Sequence, residues 1–260
     1  MHIHFIGIGG IGMSGVARFL LKKGYHVSGS DKKETELTEK LREEGAKIYI
    51  GHKPHHVEGA KAVVFSSAIK SSNPEIKEAI RRGIYLIPRG RMVANITNDM
   101  ENIVVAGTHG KTTTTAVIAE FLLKKRIDPT IFIGGILKKI NSNTKLGKDK
   151  IALVESDESD ASFLFHHPDI AVITNIEDDH LDFYTSERNL IGAFSKFCNN
   201  TKSHGKIIIN LDHPSSVYVL KKISPSRKVI TYGFSPQASI KARKVILGTL
   251  SSSFQLIMGK

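Results

Sequence analysis

Gly107-Thr108-His109-Gly110-Lys111-Thr112-Thr113 is the segment of this sequence richest in chemistry. It follows Asn102–Ala106, an apolar run that reads as a strand, and it opens a helical pattern. Gly-Lys-Thr at a helix start is the core of a phosphate-binding loop. Main-chain N–H groups cradle phosphate oxygens, the lysine neutralises the β/γ oxygens, and the hydroxyl of Thr112 can ligate Mg2+. The spacing is the short G-x-x-G-K-T form of that loop. A carboxylate must complete the magnesium shell, and Glu155 ends the predicted strand Ile151–Glu155 within ESDESDASF. Asn175-Ile176-Glu177-Asp178-Asp179-His180 closes another predicted strand, Ile170–Thr174. Strand ends of a parallel sheet face one crevice, so Gly107, Glu155 and residues 175–180 are expected to converge on a Mg-nucleotide site.

A second glycine loop lies at the other end of the chain. Gly7-Ile8-Gly9-Gly10-Ile11-Gly12 satisfies G-x-G-x-x-G, directly after a strand and before a helix. Glycines there allow a tight turn and close approach to a pyrophosphate, whose charge then meets the helix N-terminus. Asp31 follows Gly12 by 19 residues, near the end of the second strand, where an acid can bind ribose hydroxyls. The expected ligand is a diphosphate nucleotide. NAD(P) and a UDP-sugar present the same diphosphate to the same backbone, so the loop alone leaves both open.

Two such loops need two sheets to hold them, and the apolar pattern supplies both. Ile3 to Ile8, His26–Ser30, Ala62–Ser66 and Ile84–Ile87 read as strands, alternating with helices over Met13–Leu21, Thr35–Glu44 and Pro74–Arg82. This predicts an α/β fold, a Rossmann-like parallel sheet domain over 1–95. Alternation restarts at Asn102 and predicts a P-loop NTPase-like α/β domain over 96–260. Its first helix, Thr112–Arg126, is expected to turn Val117, Ile118, Phe121 and Leu122 inward. Further strands are expected at Thr130–Ile133, Lys206–Asn210, Lys228–Gly233 and Ser253–Met258, with a helix over Ser186–Cys198 whose inner stripe buries the lone cysteine, Cys198.

Composition narrows the class. With 260 residues and 40% hydrophobic content the chain is long and apolar enough for two packed domains, which excludes a disordered tail. No window approaches the ~18 apolar residues of a membrane span. The N-terminus lacks a secretory signal pattern, and one cysteine makes neither an internal disulfide nor a Cys-based zinc site, so a cytoplasmic location is expected. Net charge is +12, but the basic residues are scattered in pairs such as Lys22-Lys23 and Arg81-Arg82, without an aromatic-interleaved stripe. Anionic small molecules, not nucleic acid or membrane, are the expected partners. The pairs His2/His4, His55/His56 and His166/His167 lack partners at metal spacing and are expected at the surface, without a role.

Taken together, Gly7 to Gly15 (GIGGIGMSG), Ser66–Ile69 with Asn73-Pro74-Glu75, GTHGKTTTT (107–115), ESDESDASF (155–163) and TNIEDDHLDFY (174–184) resemble the ATP-dependent Mur ligases of peptidoglycan synthesis. The first loop and His109 look like the alanine-adding branch. The resemblance covers essentially the whole chain. It implies ligation of L-alanine to the lactyl carboxylate of UDP-N-acetylmuramate through an acyl phosphate, with ATP and Mg2+. By the same resemblance, Gly9, Gly10, Ile11, Gly12, Met13, Ser14, Asp31 and Ser67 hold the UDP-sugar. Residues 107–113 hold ATP, with Lys111 at the phosphoryl group in flight. Thr112 and Glu155 hold one Mg2+, His180 a second, and Ser159 and Asn175 line the muramyl side. Several later ligases carry a modified lysine where this chain has Ala193-Phe194, so no carbamate is expected. Family chains continue into a third, amino-acid-binding domain. The sequence stops at Lys260, so the expectation is a chain incomplete for turnover, with that domain supplied by a separate polypeptide as one option. Two other readings stay open: a non-catalytic remnant that binds UDP-sugar and ATP, and an NAD(P)-dependent oxidoreductase. The oxidoreductase leaves the second loop, Glu155 and His180 without a purpose.

Overall fold

A computed structural model describes residues 1–177, 179 and 181–259. Its compact units are residues 1–100 with 116–153, and residues 101–115 with 154–260. In the first unit, β1 (His2–Ile6), α1 (Ile11–Lys22), β2 (His26–Asp31), α2 (Glu36–Glu43), β3 (Lys47–Ile50), β4 (Ala62–Phe65), α3 (Pro74–Arg81), β5 (Tyr85–Pro88) and α4 (Arg89–Thr97) follow one another. The sheet order is β3-β2-β1-β4-β5, parallel throughout. The chain runs outward from β1 to one side and then crosses to β4 on the other. The loop after β1 therefore opens at the switch point, where such sheets bind ligands.

Local chemistry sets the helix starts. The Thr35 hydroxyl accepts from Thr38 N–H while the Thr38 hydroxyl accepts from Thr35 N–H, capping α2. Asn73 caps α3, which begins with Pro74. Beneath α3, Ile6, Val57, Val63, Ile76 and Ala79 form one core cluster.

The second part of the chain contains β6 (Glu101–Ala106), α5 (Lys111–Lys124), β7 (Thr130–Leu137), β8 (Ser142–Lys145), β9 (Ile151–Glu155), β10 (Ile170–Ile173), α6 (Leu181–Tyr184), α7 (Glu187–Asn199), β11 (Lys206–Asn210), α8 (Pro214–Lys222), β12 (Lys228–Gly233), β13 (Ile240–Leu247) and β14 (Ser252–Met258). β7 and β8 pair antiparallel. In the second unit the strands run in the order β14-β13-β12-β11-β10-β6. From β12 to β6 all are parallel, whereas β13 and β14 form an antiparallel ribbon. That ribbon meets β12 through two residue pairs, Tyr232 with Ile240 and Gly233 with Lys241, and every residue of β14 is exposed. Phe163 packs against Phe194 and Phe197 of α7 beneath this sheet. Cys198 is buried there as expected, and burial pushes its thiol up to about 12.

One expected face is wrong. Val117 and Phe121 of α5 are 61% and 67% exposed, whereas Thr115 and Ala119 are fully buried. Position 117 lies two residues, about 200°, around the helix from 115, so an apolar spacing had been matched to the outer face. Among the described residues no helix is long and apolar enough to cross a membrane.

Candidate functional site

β6 and β10 are parallel neighbours with Ala106 opposite Ile173, so the loops leaving them start level. Gly107 takes φ +136°, and a Cβ there would overlap the Thr174 hydroxyl and press on Asn175 main-chain atoms at 2.9 and 3.0 Å. Only glycine fits such a crossing. The β10 loop then clasps the glycine loop. Thr108 N–H donates to Asn175 O (3.2 Å) and His109 N–H to Asn175 Oδ1 (2.8 Å). Glu177 N–H donates to Thr108 Oγ1 (3.0 Å), and the Thr174 hydroxyl to His109 O (2.6 Å). Thr108, His109, Gly110, Lys111, Thr112 and Thr113 line an open cleft of about 340 Å³.

Lys111 is held inside this loop. Its Nζ donates to Gly107 O (2.7 Å), Thr108 O (3.2 Å) and Glu158 Oε1 (2.9 Å), which accounts for all three ammonium protons. Glu158 is fully buried, and burial raises its carboxyl while Lys111 acts against that rise. The Tyr184 hydroxyl donates to Glu158 O and fixes the turn. Thr112 Oγ1 donates to Glu155 Oε1 at 2.7 Å. A hydroxyl and a carboxylate this close are two hard oxygen donors, and Mg2+ commonly takes one or two protein oxygens beside phosphate and water. The donor set therefore fits a magnesium–phosphate ligand. Among the described residues no group of three or more His, Cys, Asp or Glu could hold a metal by itself.

Glu155 and Asn175 thus meet the loop as the sequence led one to expect. Ser159 lies in the turn after Glu158, its N–H donating to Asp157 Oδ1 (3.0 Å). His180 lies outside the described residues. Glu158 had no expected role of its own; a second acid three residues past Glu155 was the available signal.

The first loop is built on glycine geometry and the end of β2. Gly7 takes φ +78°. Ser30 O accepts both Gly7 N–H (2.8 Å) and Ile8 N–H (3.0 Å), and Asp31 Oδ2 accepts Gly9 N–H (2.8 Å). Asp31 therefore pins the loop with one oxygen. Met13 and Ser14 bury their side chains, the Ser14 hydroxyl turning back to Ile11 O at 3.0 Å. Ile11 is half exposed, and Ser67 is exposed on the loop leaving β4, the neighbour of β1. Among the described residues, no side chain caps α1 and no acid stands in its first turn. Arg89, which the sequence reading did not single out, lies over Gly12, where a Cβ would sit 3.1 Å from its Nη1.

The histidine pairs are not surface pairs. His4, His56 and His166 are buried, each with a more exposed partner beside it. β1 is a central strand, so its residues are covered on both faces. Glu75, fully buried in the first turn of α3, accepts from the Ser30 hydroxyl (2.6 Å) and lies 2.7 Å from His56 Nδ1, 3.1 Å from His52 Nδ1 and 3.7 Å from His4 Nε2. Burial works to raise this carboxyl, but the approach of His4 and the bonds from Ser30 and His56 outweigh it and hold it down at about 2. Burial lowers His56 and takes His166 down to about 3.

An α/β chain with a glycine loop at the switch point of a parallel sheet, then a Gly-Lys-Thr loop faced by acids, is matched by two family descriptions. "Mur ligase family, catalytic domain" matches residues 2–100, and "Mur ligase middle domain" matches residues 105–259. The chain belongs to the Mur ligase family. It is 49% identical over 94% of its length to UDP-N-acetylmuramate–L-alanine ligase of Aquifex aeolicus, and 46% identical over 97% to that of a Geobacter species. The chain spans about half the length of these curated relatives, 53% and 54% respectively. Among solved structures, the UDP-N-acetylmuramate–alanine ligase of Thermotoga maritima superposes with a TM-score of 0.83 at 30% identity, covering 98% of this chain and 57% of that one. The UDP-N-acetylmuramate:L-alanyl-gamma-D-glutamyl-meso-diaminopimelate ligase of Neisseria meningitides superposes at 0.87 with 24% identity, covering 99% and 84%, which speaks for the fold alone.

Proposed function

We propose that this chain carries the sugar-nucleotide and ATP-binding parts of a UDP-N-acetylmuramate–L-alanine ligase, acting in the cytoplasm in peptidoglycan precursor synthesis. The observation that carries the reading is the Thr112–Glu155 pair beside Lys111 in the cleft of the Gly-Lys-Thr loop. In this reading residues 1–95 bind UDP-N-acetylmuramate and residues 96–260 bind ATP. The lactyl carboxylate is a poor electrophile. Its oxygen attacks the γ-phosphorus, ADP leaves, and an acyl phosphate forms. The amine nitrogen of L-alanine then attacks the acyl carbon, and phosphate leaves with the acyl–oxygen bonding pair.

Each group has a physical task. Lys111 gives up its internal partners to balance charge on the β/γ oxygens, where fixed donors stabilise a transferring phosphoryl group. Main-chain N–H groups of residues 107–113 orient the phosphates. Thr112 and Glu155 would hold Mg2+, which when bound neutralises phosphate oxygens, and His180 is assigned a second ion. Ser159 and Asn175 face the muramyl side. The Gly9–Ser14 loop, Asp31 and Ser67 seat the UDP-sugar. A calorimetric titration with UDP-N-acetylmuramate, Mg-ATP and NAD+ in parallel tests the reading. Heat with the first two supports it; heat with NAD+ in place of the UDP-sugar overturns it.

A further inference from the structure

The glycine loop after β1 offers backbone donors but has no cation of its own, since Gly7 to Gly12 contains no lysine or arginine. A diphosphate carries charge that N–H groups alone do not balance. The structure brings in one cation from 77 residues away. Arg89 opens α4, and a Cβ on Gly12 would lie 3.1 Å from its Nη1 and 3.3 Å from its Cζ. The guanidinium thus lies directly against the space that a side chain at position 12 would take. Arg18, Arg42, Arg81 and Arg82 are each paired with a glutamate. By contrast, the guanidinium of Arg89 has no hydrogen bond or ion pair to any described residue.

We infer that Arg89 is a binding residue of the first loop that contacts the diphosphate of a nucleoside diphosphate sugar. This rests on the loop being the UDP-sugar seat and adds its missing countercharge. Gly12 then has a second purpose, because a Cβ there would crowd the guanidinium and push it a few tenths of an ångström off the start of α1. A planar fork of donors suits phosphate oxygens and costs little ordering once packed against the backbone.

The test measures affinity for UDP-N-acetylmuramate from 50 to 500 mM NaCl in wild type, Arg89→Gln, Arg89→Lys, Gly12→Ala and Arg91→Gln. Arg91→Gln removes equal charge from the same helix. Arg89→Gln should weaken binding about tenfold or more, the usual worth of a charged hydrogen bond, and flatten the salt dependence. Arg89→Lys should recover part of both, and Gly12→Ala should fall in the same direction as Arg89→Gln. Mg-ATP affinity and melting temperature should stay at the Arg91→Gln values. Unchanged affinity, a loss with an unchanged salt slope, or an equal loss in Arg91→Gln would overturn the inference. A wild type that binds no UDP-sugar would instead remove the functional reading beneath it.

Discussion

The glycine loops after β1 and β6 leave parallel strands in the same way and enter helices in the same way, but they are charged differently. The loop after β6 carries Lys111 within its own seven residues, already folded onto Gly107, Thr108 and the buried Glu158. The loop after β1 is bare backbone, pinned from β2 by Ser30 and Asp31, and the cation beside Gly12 comes from α4. A lysine next to its glycines can be recognised in a short window of sequence. An arginine 77 positions beyond Gly12 is brought there only by the order β2-β1-β4-β5, which carries the chain back past the loop.

Breaking one loop should leave the other working. Lys111→Ala is expected to abolish Mg-ATP binding, a loss on the order of 100-fold or more, while UDP-N-acetylmuramate affinity stays within about twofold. Equal loss of both in calorimetry would end the two-loop description. This variant also leaves the Glu158 carboxylate buried without its lysine, so Lys111→Ala with Glu158→Gln should melt higher than Lys111→Ala alone. Glu155→Gln should weaken Mg-ATP about tenfold and flatten its response to magnesium concentration, as for a lost oxygen ligand. Gly7→Ala places a Cβ at φ +78° and should cost about 1–2 kcal/mol in denaturant unfolding. It should weaken the UDP-sugar and leave Mg-ATP untouched.

Acid offers a finer comparison. Glu75 is depressed to about 2, so its contribution to stability is present above pH 4.5 and drains away between 4.5 and 2. His166 is also depressed, to about 3, so its contribution is present above pH 6.5 and shrinks as pH falls from there toward 3. His166→Leu should make stability less dependent on pH between 6 and 4, with thermal melts across that range as the check. The smallest effect belongs to α5: Val117→Ser and Phe121→Ser, both exposed, should each change stability by no more than about 0.5 kcal/mol.

What could be read from sequence follows from how local each cause is. Glycine spacing, helix caps and alternating apolar runs act within a dozen residues, and so the parallel sheets, Asp31 at the end of β2 and Glu155 at the end of β9 were expected where they stand. β8 is a short strand, SNTK, with no apolar residue to find, and β3 offers only the three apolar residues of KIYI. α4 begins behind Pro88 with Arg-Gly-Arg and reads as mixed polarity, though Met92, Val93 and Ala94 are buried. Glu75 was visible as part of Asn-Pro-Glu, but its burial depends on His4, His52 and His56, whose approach is tertiary. The same limit hid Glu158 as the partner of Lys111.

The ribbon of β13 and β14 has a consequence for how the chain comes apart. Two residue pairs fasten it to β12, and β14 has no buried residue to add apolar stabilisation. Such a ribbon can detach without disturbing the strands around the Gly-Lys-Thr loop, giving a small early transition ahead of the main one. Unfolding of this chain should therefore need at least two steps to describe, and a protease that cuts within residues 240–258 should find its substrate before the nucleotide cleft has opened.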